Sequence, residues 1–361
     1  MKSKVESKKA KVTSKRLMQV ILFTFYFCLF AFPSSALAVG KWSEQKSGTL
    51  AWLRAVYFLN EKKGWVVGGN GTILATEDGG VNWTKLKSPT EDNLTDVVFL
   101  SEQEGWILCE SDRYSAVNGQ PRSYLLHSTD GGSDWQRVYL DSSDIDLRIS
   151  RIIFGAEDKG LIFGELGTLY STIDKGIRWV GKAPPSRFLL LGGVILNSQQ
   201  SVLVGASSTI VYTEDGGKVW QKAILKDRQS TNHGNTLQEQ EKIRFTSVSF
   251  INQQKGFAVG FGGKIFATND GARNWTAQNS TTSADLYDVR FLNPNEAFIT
   301  GEKGTLLYTS NAGFKWETIN LGTSHKLERI FFAAPERGWI VGFGGKIFCY
   351  SNENKKPQIS L

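Results

Sequence analysis

An all-β fold is predicted: a seven-bladed β-propeller of four-stranded antiparallel blades, the last closed by the N-terminal strand. Three observations predict it. The first is a turn motif that recurs at 76–83 (TEDGGVNW), 128–135 (STDGGSDW), 213–220 (TEDGGKVW) and 268–275 (TNDGARNW), with worn copies at 172–179 (TIDKGIRW) and 309–316 (TSNAGFKW). The second is a residue that ends an apolar run, at Gly68, Cys109, Gly164, Gly205, Gly260, Gly301 and Gly342, with spacings of 41, 55, 41, 55, 41 and 41. Units of this length suit four short strands each; leucine-rich repeats are shorter, and helical repeats need a periodicity that is missing here. The third is that the chain ends complement each other. The seventh unit stops after 346–350 (KIFCY) without a Trp-bearing strand, and 41–45 (KWSEQ) supplies one, Trp42 preceding Trp83 by 41. An N-terminal strand completing the last blade removes two exposed sheet edges.

The first unit shows how each strand is read. Residues 53–59 (LRAVYFL) alternate and are rich in branched and aromatic side chains, as a half-buried strand requires. A polar turn at 60–63 leads into 64–68 (GWVVG), and 69–71 (GNG) make a tight loop into 72–75 (TILA). The motif turn then follows: the Asp carboxylate accepts backbone N–H groups, Gly takes a positive φ, and Trp returns to the core to open the fourth strand. Asp78, Asp130, Asp174, Asp215 and Asp270 are therefore expected to lock turns. One carboxylate per blade at a wide radius does not make a calcium site.

The 361 residues carry a formal charge of +7. Residues 1–38 hold seven basic groups against Glu6, which leaves 35 basic and 34 acidic groups in the rest of the chain. No global basic field steers polyanions, so nucleic acid is not an expected partner. The same N-terminal stretch reads as a signal peptide over 1–38: basic to Arg16, apolar over 17–32, then PSSALA with small residues at Ala36 and Ala38. An uncleaved anchor is the alternative, although the apolar run is short for a span. The expected organisation is a propeller over 39–355 with a tail at 356–361, exported to the periplasm or another extracytoplasmic compartment. Cys28 lies in the apolar run without the small residues of a lipoprotein site. Cys109 and Cys349 fall in separate predicted strands and are expected to be free buried thiols. His127, His233 and His325 show no ligand spacing, and neither metal nor cofactor is expected.

Differences in unit length point to one face. Extra residues fall at 112–122, between the second and third strands of the second unit, and at 141–148 and 226–242, between units. In a propeller these connections share one face, and the Asp turns lie on the other. Variable loops on a rigid scaffold are where binding usually resides. Basic residues enter the first strands on that insertion face. Arg148, Arg244 and Lys326 share one repeat position, and Arg54, Arg151, Arg187 and Arg329 lie within two residues of it. Arginine there suits carboxylate recognition; the alternative is a charge-balanced rim, since Asp96, Asp285, Asp288 and Glu328 are neighbours. Residues 259–266 (VGFGGKIF) recur unchanged at 341–348 as strand–hairpin–strand, which exposes Phe261 and Phe343 to a partner. Their glycines do not have phosphate-loop spacing.

The unit Gly-Trp-x-x-Gly followed by Ser/Thr-x-Asp-Gly-Gly-x-x-Trp resembles the Asp-box, or BNR, repeat. The forms at 64–68 (GWVVG) with 78–83, and at 338–342 (GWIVG), are similar to the photosystem II stability/assembly factor family over essentially all of 41–350. That resemblance implies a non-enzymatic exported propeller that holds a membrane-complex subunit through an arginine-rich patch, in the thylakoid lumen if the host is photosynthetic. By position, Arg148, Arg151, Arg187 and Arg244 are nearest to that patch. The partner is expected to be a protein, the propeller a monomer, and peripheral membrane association is compatible with both. Two other classes share the scaffold. A sialidase-like glycoside hydrolase would need an Arg triad, a Tyr–Glu pair and an acid Asp; here Arg151-Ile152 and Arg329-Ile330 are followed by Ile153 and Phe331 instead of Pro, in seven blades where such enzymes usually have six. An extracytoplasmic peptide- or glycan-binding propeller differs only in its partner.

Overall fold

The computed structural model describes residues 40–111, 121–140, 147–155, 158–226 and 242–352. The chain enters the ring at β1 (Lys41–Gln45). Blade 1 is β2 (Leu53–Phe58), β3 (Gly64–Gly68), β4 (Ile73–Thr76) and β5 (Thr84–Lys85). Blade 2 is β6 (Asn93–Phe99), β7 (Gly105–Glu110), β8 (Ser123–Ser128) and β9 (Gln136–Val138). Blade 3 is β10 (Ile149–Phe154), β11 (Gly160–Gly164), β12 (Leu169–Thr172) and β13 (Val180–Lys182). Blade 4 is β14 (Leu190–Ile195), β15 (Ser201–Gly205), β16 (Thr209–Thr213) and β17 (Gln221–Lys222), followed by β18 (Ile224–Lys226). Blade 5 is β19 (Phe245–Phe250), β20 (Gly256–Gly260), β21 (Lys264–Thr268) and β22 (Asn274–Gln278). Blade 6 is β23 (Leu286–Phe291), β24 (Ala297–Gly301), β25 (Leu306–Thr309) and β26 (Glu317–Thr318). Blade 7 is β27 (Leu327–Ala334), β28 (Arg337–Gly342) and β29 (Ile347–Ser351).

The first strands β2, β6, β10, β14, β19, β23 and β27 neighbour one another in a closed cycle. Closure is completed as the chain ends require: β1 lies antiparallel to β29, with Trp42 opposite Tyr350 and Gln45 opposite Ile347. The Trp42 ring packs 5.1 Å from Tyr350 and 5.5 Å from Phe298 of blade 6. Blade 5 departs from the four-stranded pattern. β18 runs parallel to β22 as a fifth strand, Leu225 opposite Trp275, and both side chains are buried. The 226–242 insertion therefore begins inside a sheet. Its tip at 227–241, like 112–120 and 141–146 of the other two insertions, lies outside the described residues.

The marker glycines have a steric cause. A Cβ at Gly68 would lie 2.3 Å from the Trp52 carbonyl oxygen, and at Gly205 2.0 Å from that of Leu189. Those carbonyls accept the N–H of the residue that follows the marker: Gly69 to Trp52, Glu165 to Arg148, Ala206 to Leu189, Phe261 to Arg244, Glu302 to Asp285 and Phe343 to Lys326. Every first strand then carries a register shift just beyond this point. A bulge turns one extra residue out of the ladder; here those residues are Arg54, Thr95, Ser150, Leu191, Thr246, Tyr287 and Glu328.

On the other face, the Asp turns are closed as the sequence requires. Asp78 Oδ1 accepts the Asn82 N–H at 2.9 Å and the Thr76 hydroxyl at 2.8 Å, and the Gly80 N–H is held by Thr76 Oγ1 at 2.9 Å. Asp130, Asp174, Asp215, Asp270 and Asn311 repeat the bond to the N–H four residues on. Each turn also donates to the turn joining the first two strands of its own blade, as Gly79 does to Lys62 and Gly216 to Gln199, so both kinds of turn share a face. The seams between blades are stitched from here. Trp65, Trp106 and Trp339 donate their indole N–H to the next blade's Asp turn, at the carbonyls of Gly131, Lys175 and Gly79. Trp65 stacks on Phe99 and Trp339 on Phe58, at 3.5 and 3.4 Å. The motif tryptophans also reach the seams, but edge-on, as Trp179 meets Trp106 and Trp316 meets Phe257.

Candidate partner-binding face

The repeat position of Arg148, Arg244 and Lys326 is one structural site, because each of the three carbonyls accepts the same loop N–H. Trp52 occupies it in blade 1. From there a strip of cations and rings crosses four blades. Arg244 lies 5.0 Å from the Phe261 ring, which meets Tyr287 edge-on at 6.2 Å. Lys326 Nζ sits 4.0 Å from Tyr287 and 4.7 Å from Trp52. Arg54 covers Trp52 at 4.0 Å, and Phe343, half exposed, packs against Trp52 at 5.9 Å and His325 at 5.7 Å. A cation over an aromatic face is attracted by the ring quadrupole, and the pairing presents both charge and apolar area to a ligand.

A second group lies towards blades 2 and 3. Arg148 Nε is 3.1 Å from Glu110, and Arg122 bridges Glu110 at 3.8 Å and Glu165 at 3.3 Å. Glu165 also accepts the Arg148 N–H. Burial lowers the pKa of Arg54; Glu328 and Glu110 oppose that shift and Arg148 adds to it, so Arg54 joins the two groups electrostatically. Lys326 is paired with Glu328 at 3.1 Å. Further along the strip Glu302 accepts the Tyr287 hydroxyl and Asp285 the Gly262 N–H, so carboxylates alternate with the cations.

The remaining expected residues divide. Arg187 is exposed beside Phe188 and stands apart from the strip. Arg151 is buried in the inner wall, 3.7 Å from Asp96, with its Nε donating to the Leu191 carbonyl. Its burial takes it out of the exposed set. Arg329 occupies the matching first-strand position in blade 7 and is half buried. The inner wall has its own pattern. Asp96 accepts the Ile152 N–H of blade 3, and Asp288 accepts the Ile330 N–H of blade 7. Each thereby caps a donor that points off the open inner edge of the next blade's first strand. Tyr287, Trp52, Glu110 and Arg122 were not expected at the face. Tyr287 and Trp52 share the repeat positions of Arg54 and Arg148, so extending the registration to uncharged residues would have found them.

Among the described residues no His/Cys/Asp/Glu group is placed to hold a metal ion, and Cys109 and Cys349 are buried free thiols. The geometry defines a propeller of Asp-turn repeats with a face of cations, carboxylates and aromatic rings and self-bonded turns opposite. The family model described as photosynthesis system II assembly factor YCF48 matches residues 34–183, 189–276 and 225–310, and the chain belongs to this family. It is 26% identical over 165 residues to the photosystem II assembly lipoprotein Ycf48 of Synechococcus sp. (strain CC9902), an alignment spanning 45% of each chain. The structure described as YCF48 bound to D1 peptide superposes with a TM-score of 0.67 at 23% identity, over 88% of this chain and 99% of that one. YCF48 from Cyanidioschyzon merolae gives 0.68 at 18% identity, over 87% and 99%. A xyloglucanase from Xanthomonas campestris gives 0.64 at 12% identity, over 88% of this chain and 55% of that one. At these identities the superpositions show the fold.

Proposed function

We propose that the chain is an exported, non-enzymatic assembly factor that holds an extended segment of a photosystem II subunit against its insertion face. The observation that carries this reading is the strip from Arg244 through Phe261, Tyr287, Lys326 and Trp52 to Phe343, with Arg54, Arg148 and Arg122 beside it. Such a surface suits a peptide that offers carboxylates and apolar side chains in turn. The relative solved with a D1 peptide supplies the natural probe. Export rests on the signal-like segment at 1–38, and the extracytoplasmic compartment is the thylakoid lumen or periplasm. Glu110 and Glu165 are paired with Arg148 and Arg122, and Glu328 with Lys326, so an incoming carboxylate competes with them.

The test is capture of a D1 peptide by the chain and by the double variant Arg148→Glu, Arg244→Glu. Affinity should fall about tenfold or more, since each reversal turns attraction into repulsion. Capture at unchanged affinity would remove the arginines from the site. Turnover of a fluorogenic sialoside or of xyloglucan would overturn the non-enzymatic reading.

A further inference from the structure

The seam between blades 3 and 4 lacks what closes its neighbours. Blade 3 carries Leu161 where Trp65, Trp106 and Trp339 reach across, and Lys159 makes the bond instead, its Nζ 3.2 Å from the Gly216 carbonyl and 3.0 Å from that of Ser198. At three seams, including both that adjoin this one, apolar residues at the third and fifth positions after the motif Trp plug the outer seam: Val138 and Leu140, Ala223 and Leu225, and Ile319 and Leu321 pack into cores shared with the next blade. After Trp179 the same positions are Lys182 and Pro184. A groove of about 800 Å³ remains, lined among others by Ile173, Lys182, Pro184, Lys218, Val219 and Trp220. Ile173 is 81% and Val219 58% exposed.

The next seam shows what fits such a space. There β18 runs along β22 and Leu225 covers Trp275, which is fully buried. Counted from the motif Trp, the blade 4 counterparts of 274–276 are Val219, Trp220 and Gln221. The counterparts of β18 are Ala183, Pro184 and Pro185, and two successive prolines offer no N–H to a ladder. The outer edge of blade 4, at β17, therefore stands uncovered beside an apolar groove. Among the described lining residues, Lys182 and Lys218 stand with one carboxylate, Asp215, which is bonded to its own turn by Thr213, Lys218 and Val219; Lys159 is buried beneath them on its two carbonyls.

We propose that this groove is a second docking site, which accepts an extended segment of a protein partner as an added strand on the edge of blade 4. An apolar side chain lies over Trp220, where Leu225 lies over Trp275, and acidic neighbours meet Lys182 and Lys218. Strand addition supplies main-chain bonds, and the groove supplies the side-chain preference. The site is built from residues that the insertion-face reading does not use.

The probe is a short fluorescein-labelled peptide, capped at both ends, with a central leucine between aspartates; its control has lysines in their place. Capping removes the terminal carboxylate that would suit the arginines. Fluorescence anisotropy with the full chain should show binding of the aspartate peptide and at least about tenfold weaker binding of the control. Lys182→Leu with Pro184→Leu plugs the seam and should weaken binding by a similar factor without lowering the melting temperature. Arg148→Glu should leave it unchanged, which separates failure here from failure at the insertion face. Lys182→Glu with Lys218→Glu should reverse the preference between the peptides. No binding, equal binding of both peptides, or binding indifferent to both variant pairs would overturn the proposal.

Discussion

The carboxylates of this chain are set in opposite directions by their surroundings. The Asn82 backbone N–H and side-chain amide, with the Thr76 hydroxyl, hold the Asp78 carboxyl down at about 2. Asp130, Asp174 and Asp215 are lowered by the same kinds of donor. A carboxylate with a depressed folded pKa contributes stability above its ordinary range and loses it as the pH falls through the folded value. Asp78→Asn should therefore lower the melting temperature at pH 5–7, and the difference should vanish as the pH approaches about 2. Melting curves across that range check it; a difference that persists in acid would mean the Asn82 bond does not depend on charge. Asp96 works the other way. Burial raises its pKa while Arg151 and the Ile152 N–H oppose the rise. Its contribution is present at low pH and lost as the pH rises through the folded value.

Among the elements, the outer strands differ most. Most are two or three residues long and hold little on their own, so the seam plugs behind them matter more than the ladder. β18 shows this most clearly, since it joins its sheet through three residue pairs and buries Leu225. Leu225→Ala should cost about 2–5 kcal/mol, the usual range for emptying a closed apolar site. Urea unfolding measures it. A cost below about 0.5 kcal/mol would mean that β18 is held by its ladder alone and that Leu225 plugs nothing. The motif Trp and its downstream residues act as a unit: Trp275 is covered where Leu225 follows from the blade before, and Trp220 is left at a groove where Pro184 does.

Among the described residues, β1 is the one strand that blade 7 takes from the far end of the chain, and closure of the ring passes through it. Residues 41–45 cover the edge of β29 and bring Trp42 against Phe298 and Tyr350. Trp339 and Arg337 meanwhile donate across the closing seam to the Gly79 carbonyl. Removing residues 1–46 should leave an open edge, lower the cooperativity of unfolding and promote association through β29. Denaturation curves and light scattering test this; a monomeric truncation with an unchanged transition would show that the seven-bladed ring does not need its N-terminal strand. The ring also separates tasks. Turns bonded into their own blades make one face rigid, and the bulges of the first strands turn Arg54, Tyr287 and Glu328 towards the other.

Blade number, strand order, closure by Trp42 and the locking of the Asp turns were all legible in the chain. They depend on short-range chemistry repeated at a fixed period, and a period survives the wear of single copies such as Asn311. The marker glycines were legible as positions, although their cause, the close carbonyl, needed the packed sheet. Partnership across the seams was decided by the tertiary structure alone. Arg148 and Arg151 look alike in sequence, yet a bulge between them puts one on the rim and the other in the wall. Trp52 and Tyr287 join the arginine face only because neighbouring blades bring them under Lys326. The groove of blades 3 and 4 likewise arises from Leu161, Lys182 and Pro184 acting together, since whether a seam is filled depends on side chains from two blades that no single repeat contains.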